Sequence, residues 1–117
     1  MAQFEIRRAL PQDVQRITEI YNSNTEFLLH HLGRERVDRH FIAREMEEMR
    51  RVGFLSCVLV ERESGRCVGV LDYRPGACVY LSLLMLDAAL RGKGFGTACY
   101  GCLEEIVRRQ GAASVRI

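Results

Sequence analysis

The most restrictive stretch of this chain lies between Val79 and Thr97. An apolar run, Val79-Tyr80-Leu81-Ser82-Leu83-Leu84-Met85-Leu86, holds one small polar residue, Ser82, and is soon followed by Arg91-Gly92-Lys93-Gly94-Phe95-Gly96-Thr97. Read as a strand, Ala77 to Leu86 sets Val79, Leu81, Leu83 and Met85 against Tyr80, Leu84 and Leu86, so both faces need cover. Further on, Cys99, Cys102, Leu103 and Ile106 recur at i, i+3, i+4 and i+7, the spacing of one helical face. The pattern predicts a central strand, a glycine turn and a helix. That helix starts near Gly96, carries Arg108 and Arg109 near its C-terminal end and stops at Gly111.

The rest of the chain supplies elements to cover such a strand. Phe4 to Leu10 alternates like a half-buried strand, and Pro11 stands where a first helical turn tolerates proline. Val14, Ile17, Ile20 and Tyr21 form the face of a first helix, closed by Asn22-Ser23-Asn24. Residues 25 to 37 set Phe27, Leu28, Leu29 and Leu32 beside His30, His31, Gly33 and charged groups, and predict a loop or a short irregular helix. Asp38 can cap a second helix with Ile42, Met46 and Met49 on one face and Gly53 at its end. Phe54 to Glu63 and Cys67 to Tyr73, joined by Ser64-Gly65-Arg66, read as a hairpin. Ala-Ala-Ser-Val-Arg-Ile at the C-terminus reads as a last strand.

At 117 residues and 48% hydrophobic content, the chain suits one core and one domain, residues 1–117. Its 17 basic and 15 acidic residues leave a formal net charge of +2, far from the strongly basic footprint of a nucleic-acid binder. The N-terminus lacks the apolar core of a signal peptide, and no segment approaches the roughly 20 apolar residues of a membrane span, so a cytoplasmic protein without membrane contact is expected. Five cysteines, an odd number, argue against a disulfide framework. Cys99 and Cys102 form a C-x-x-C, but both fall on the apolar stripe of their helix and read as core. His30, His31 and His40 lack the carboxylate spacing of a metal site, so no metal is expected.

A glycine turn that opens a helix offers unpaired backbone N–H groups and a partial positive charge, with no Cβ to hold an anion away. Arg91 and Lys93, the chain's one lysine, add mobile positive charge. A phosphate-type ligand is therefore expected here. The spacing is not that of a P-loop, which needs Gly-Lys-Ser/Thr after Gly and four residues. Nor is it a dinucleotide fingerprint, because Thr97 stands where a third glycine would follow Gly92, and Cys99 where glycine or alanine would follow Gly94.

The segment Arg91-Gly92-Lys93-Gly94-Phe95-Gly96 resembles the acetyl-CoA motif Arg/Gln-x-x-Gly-x-Gly/Ala of the GNAT superfamily of N-acetyltransferases. The order of elements is similar, over the whole chain, to the first five strands and three helices of that family. The resemblance implies an α/β fold with a mixed sheet, a GNAT-like acyl-CoA N-acyltransferase fold truncated after the fifth strand. Acetyl-CoA is the implied co-substrate, its pyrophosphate resting on the loop of Arg91, Gly92, Lys93, Gly94, Phe95, Gly96 and Thr97. Its pantetheine arm would pair with Leu84, Met85 and Leu86, where a backbone N–H polarises the thioester carbonyl. The implied reaction moves an acetyl group to a primary amine of a small molecule or peptide, with a base to deprotonate an ammonium of pKa roughly 10. Glu61, Asp72, Tyr73 and Tyr80 fall on strands near the expected site; none stands out as that base.

Family members continue with a fourth helix, which often carries a tyrosine that protonates the departing thiolate, and two more strands, whereas this sequence stops at Ile117. The single GNAT-like domain is thus expected to be incomplete at its C-terminus and to self-associate as a homo-oligomer through the exposed edge of the last strand. Two other readings stay open: a non-catalytic CoA-binding or interaction module, and a nucleotide-binding α/β domain.

Overall fold

In the computed structural model, which describes residues 4–90, 95–109 and 114–116, the alternating segments assemble into one five-stranded sheet in the order β1-β2-β3-β4-β5. β1 (Phe4–Arg8), β2 (Leu55–Glu61), β3 (Cys67–Arg74) and β4 (Cys78–Leu86) are antiparallel neighbours, and β5 (Ser114–Arg116) runs parallel to β4. A short 3-10 turn at Pro11–Asp13 leads into α1 (Val14–Ser23), which α2 (Thr25–Leu32) and α3 (Arg39–Arg51) follow; α4 (Phe95–Arg109) comes after β4.

Helices cover both faces, as the apolar run of β4 requires. Val58, Val60, Val70 and Met85 pack with Ile17, Ile20, Leu28 and Ile42 on the α1–α3 side. Cys57, Leu71, Val79 and Leu81 meet Leu103 of α4 on the other. Ile20, Leu28, Val58, Val79 and Leu103 are wholly buried, each worth roughly 1.5–3 kcal/mol in area removed from water.

One departure inside β4 matters most. Leu83 opposes Asp72 while Leu81 opposes Tyr73, so Ser82 is an extra residue, a β-bulge. Strict alternation would keep Val79, Leu81, Leu83 and Met85 on one face. The bulge instead sends Val79 and Leu81 to the α4 side and Leu83 and Met85 to the α1–α3 side.

One other expectation needs correction. Thr25–Leu32 is a regular helix, because Leu28 inserts fully into the core and Gly33, with φ at +67°, ends the helix in the left-handed conformation. Three helices, not two, therefore precede the hairpin. The described part of α4 begins at Phe95, in keeping with the expected start near Gly96. The cap on α3 is as expected: Asp38 Oδ1 accepts the Phe41 N–H at 2.8 Å.

Candidate active site

The outer edge of β4 is the first part of the site. The Asp87 N–H donates to Val68 O at 2.9 Å, and antiparallel alternation then turns the N–H and C=O groups of Met85 and Leu83 toward β3. The corresponding groups of Leu84 and Leu86 face away from β3. On that side β5 is in register only with Cys78, Val79 and Tyr80, upstream of the bulge. Among the described residues, no strand pairs with the outer edge from Leu83 to Leu86. An extended chain bearing amides can add itself there as a further strand.

The end of this edge is held from α1 and α2. Asn24, itself buried, donates from Nδ2 to the outward carbonyl of Leu86 at 2.9 Å and to Ile20 O at 2.8 Å. Ser23 Oγ accepts the Ala88 N–H at 3.0 Å, and the Arg16 guanidinium joins Cys67 O at 2.9 Å to the Asp87 carboxylate at 2.7 Å. Burial pushes the Asp87 carboxyl up, but the Ala89 N–H and the Arg16 guanidinium outweigh it and hold it below the usual carboxylate range. Residues 86–88 are thus pinned at the end of β4, and the Leu86 carbonyl is already engaged by Asn24.

A row of cross-strand partners crosses the sheet on the α1–α3 side. Ser56, Asp72 and Leu83 are successive cross-strand partners, and Leu83 stands directly after the bulge. Burial pushes the Asp72 carboxyl up to about 6; the Ser56 hydroxyl tempers this rise, and the negative charge of Glu45 adds to it. Tyr21 faces the same space, its phenol also pushed up by burial and by the charges of Asp72 and Glu45. Asp72 is therefore the strand residue with the titration behaviour of an acid–base group. Its type and position in the sequence carry no sign of this, because the shift comes from α1 and α3 lying over it.

The other sequence candidates separate. Tyr73 is buried against the α4-side cluster. Tyr80 stacks under the Arg74 guanidinium at 4.6 Å, near the start of β4. Glu61 accepts a hydrogen bond from Ser64 Oγ at 2.7 Å, at the hairpin turn. Leu84 and Leu86 are half-buried and Met85 is buried, along the edge described above. Arg91, Gly92, Lys93 and Gly94 lie outside the described residues. Phe95, Gly96 and Thr97 form the first turn of α4, a 15-residue helix, with Thr97 exposed.

His30, His31 and His40 are exposed, and His31 stacks on Phe27 with ring centroids 4.4 Å apart. No group of three or more His, Cys, Asp or Glu side chains among the described residues is placed to hold a metal ion. Cys57, Cys67 and Cys78 are free thiols, and burial pushes the Cys57 thiol up to about 11. No helix among the described residues is long and apolar enough to cross a membrane.

The geometry has counterparts in solved structures. A ribosomal-protein-alanine N-acetyltransferase from Brucella melitensis is 31% identical, with a TM-score of 0.62 over 90% of this chain and 68% of that one. Glucosamine-6-phosphate N-acetyltransferase from Arabidopsis thaliana is 20% identical, with a TM-score of 0.62 over 96% of this chain and 79% of its own. The ribosomal L7/L12 α-N-protein acetyltransferase RimL, solved with coenzyme A, shares the fold at 15% identity, with a TM-score of 0.73 over 95% and 67% of the two chains. No match is found among curated protein sequences. The sequence model of the acetyltransferase (GNAT) family matches residues 8–117, nearly the whole chain. With the bulged strand, its open edge and the helix beyond, that match makes the protein a member of the GNAT family, an acyl-CoA-dependent N-acetyltransferase.

Proposed function

We propose that this enzyme transfers the acetyl group of acetyl-CoA to a primary amine of a small molecule or peptide. The observation that carries the reading is the outer edge of β4, where the Leu84 and Leu86 N–H groups face away from β3 beyond the reach of β5. The pantetheine arm carries two amides, so it can be held there as an added strand, with Met85 between the two outward positions. The Leu84 N–H is a fixed donor for the carbonyl on which negative charge develops, and fixed donors of this kind are worth more than solvent ones.

The loop of Arg91, Gly92, Lys93 and Gly94, continued by Phe95, Gly96 and Thr97 in the first turn of α4, is the seat for the pyrophosphate. Bound acetyl-CoA supplies an acetyl group already activated as a thioester. The chain itself must take a proton from the acceptor's ammonium. Asp72, whose cross-strand partner Leu83 adjoins Leu84 and whose carboxyl is held at about 6, is suited to that role.

A primary amine is the coarsest acceptor that fits. The structural relatives include a protein named for a ribosomal-protein alanine and one named for glucosamine-6-phosphate, one peptide and one sugar.

Calorimetric titration with acetyl-CoA, followed by thiol release with peptide N-termini, amino sugars and small amines, tests the proposal. Saturable binding and amine-dependent thiol release are expected. Absence of binding removes the reading, and binding without turnover on any amine selects a non-catalytic CoA-binding module.

A further inference from the structure

Beside the row of Ser56, Asp72 and Leu83, a second row crosses the same face of the sheet. Leu55 and Tyr73, cross-strand partners, both pack on the α4 side, so alternation turns Phe54 and Arg74 to the α1–α3 side with Asp72. Tyr80, the partner of Arg74 on β4, lies on that side too, because Val79 and Leu81 flank it on the other. The bulge at Ser82 falls between the two rows on β4. Along β3 the rows are two residues apart, about 7 Å.

The Arg74 guanidinium in this second row is held without being neutralised. It stacks on Tyr80 at 4.6 Å and on Phe54 at 5.3 Å, and its stem lies over Gly53, where a Cβ would sit 3.5 Å from Arg74 Cδ. Arg7, Arg16, Arg50, Arg51 and Arg62 each meet a carboxylate, whereas Arg74 makes no ion pair or hydrogen bond with any described residue. Stacking uses the flat faces of a guanidinium and leaves its in-plane N–H groups for an anion. Arg74 and Tyr80 are exposed, so an anion can reach them. One face of the sheet thus sets a carboxyl suited to an amine, Asp72, next to an oriented cation suited to a carboxylate or phosphate.

We propose that the acceptor is a primary amine carrying an anionic group, a carboxylate or a phosphate, a few bonds from its nitrogen, and that Arg74 selects it. The proposal rests on the reading that acetyl transfer takes place beside Asp72. The anion meets the edge of the Arg74 guanidinium, which Phe54 and Tyr80 hold flat, and the amine lies over Asp72, whose partner Leu83 adjoins Leu84. An amine without an anionic group gains nothing from Arg74 and is repelled by its charge.

The test uses the full chain, acetyl-CoA and two matched pairs of amines: 4-aminobutyrate against 4-aminobutyramide, and 3-aminopropyl phosphate against 3-aminopropanol. Thiol release gives kcat and KM for each. At least one anionic amine should exceed its neutral counterpart about tenfold in kcat/KM, chiefly through KM, and the pair that does so tells carboxylate from phosphate. Arg74→Gln should raise KM for that amine about tenfold with little change in kcat, bringing the ratio within the pair near one. Arg74→Lys should restore part of the preference, and Tyr80→Leu, which frees one face of the guanidinium, should weaken it about threefold, with circular dichroism confirming the fold of each variant. Equal kcat/KM within both pairs, or a preference that survives Arg74→Gln, overturns the proposal. Turnover of peptide N-termini or neutral amino sugars but of none of the four amines also overturns it, and leaves the acetyl-transfer reading standing. No turnover of any amine removes both.

Discussion

The two halves of β4 share one strand and face different fates. Around Tyr80 the strand has a neighbour on each side, Arg74 of β3 and Arg116 of β5, whereas from Leu83 to Leu86 its register among the described residues is with β3 alone. Ser82, the bulged residue, lies between the halves. The first half is sheet interior and the second is an edge with no strand partner among the described residues. A bare edge of this kind is a hazard for aggregation, and here it is shortened by a bulge and by a side chain, Asn24, seated on its last outward carbonyl.

Proline substitution along the second half should break the contrast most sharply. Leu84→Pro removes an N–H that faces away from β3 and leaves the ladder to β3 intact, so the fold should persist by circular dichroism while acetyl transfer falls about 100-fold or more. Met85→Pro removes a ladder hydrogen bond to β3 and should unfold the protein. Full activity in a folded Leu84→Pro variant would show that this edge is not used.

Pressing on the same half from β3 should act next most strongly. A Cβ at Gly69 would sit 2.9 Å from Met85 O and 3.0 Å from Leu86 Cδ2, so Gly69→Ala must displace the second half of β4. Urea unfolding should show a loss of about 2 kcal/mol, and KM for acetyl-CoA should rise with it. Asn24→Ala frees the Leu86 carbonyl from its clamp. It should cost about 1–2 kcal/mol in the same assay and raise KM for acetyl-CoA more than it lowers kcat.

The smallest effect sharpens the comparison through pH. Asp72 lies beside the second half, its folded pKa raised to about 6 from an unfolded value near the ordinary 3.8. Below both values the carboxyl is protonated folded and unfolded, and it has no effect. As pH rises between them the unfolded chain gives up its proton first, so stability falls, and the full penalty is present above the folded value. Asp72→Asn should therefore stabilise the protein by about 1–2 kcal/mol at pH 8 and not at all near pH 3. Its kcat should drop as well if Asp72 takes the acceptor's proton. Asp87 acts in the opposite sense: its stabilisation is complete above the unfolded carboxylate range and is lost as pH falls through its depressed folded value.

Much of this architecture is legible in the chain because it rests on local periodicity. Alternation in Phe4–Arg8, the apolar runs of the hairpin, the Asp38 cap and the helical stripe that includes Leu103 are nearest-neighbour signals, and each has its counterpart in the fold. α2 was obscured because Leu28 is apolar among histidines and charges, and its helix is stabilised by a core pocket that no local pattern announces. Ser82, the polar residue in the apolar run, was the mark of the bulge. What it does to the faces of β4 depends on the register with β3.

The order of residues alone dictated the strands, the two-sided burial of β4 and the helix that follows it, since these depend on side chains spaced two to four positions apart. Tertiary contact decided which β4 amides point outward, that Asn24 rather than water takes the Leu86 carbonyl, and that Asp72 keeps its proton to an unusually high pH. These depend on groups distant in sequence sharing a low-dielectric space, where burial and a few tenths of an ångström outweigh any local preference.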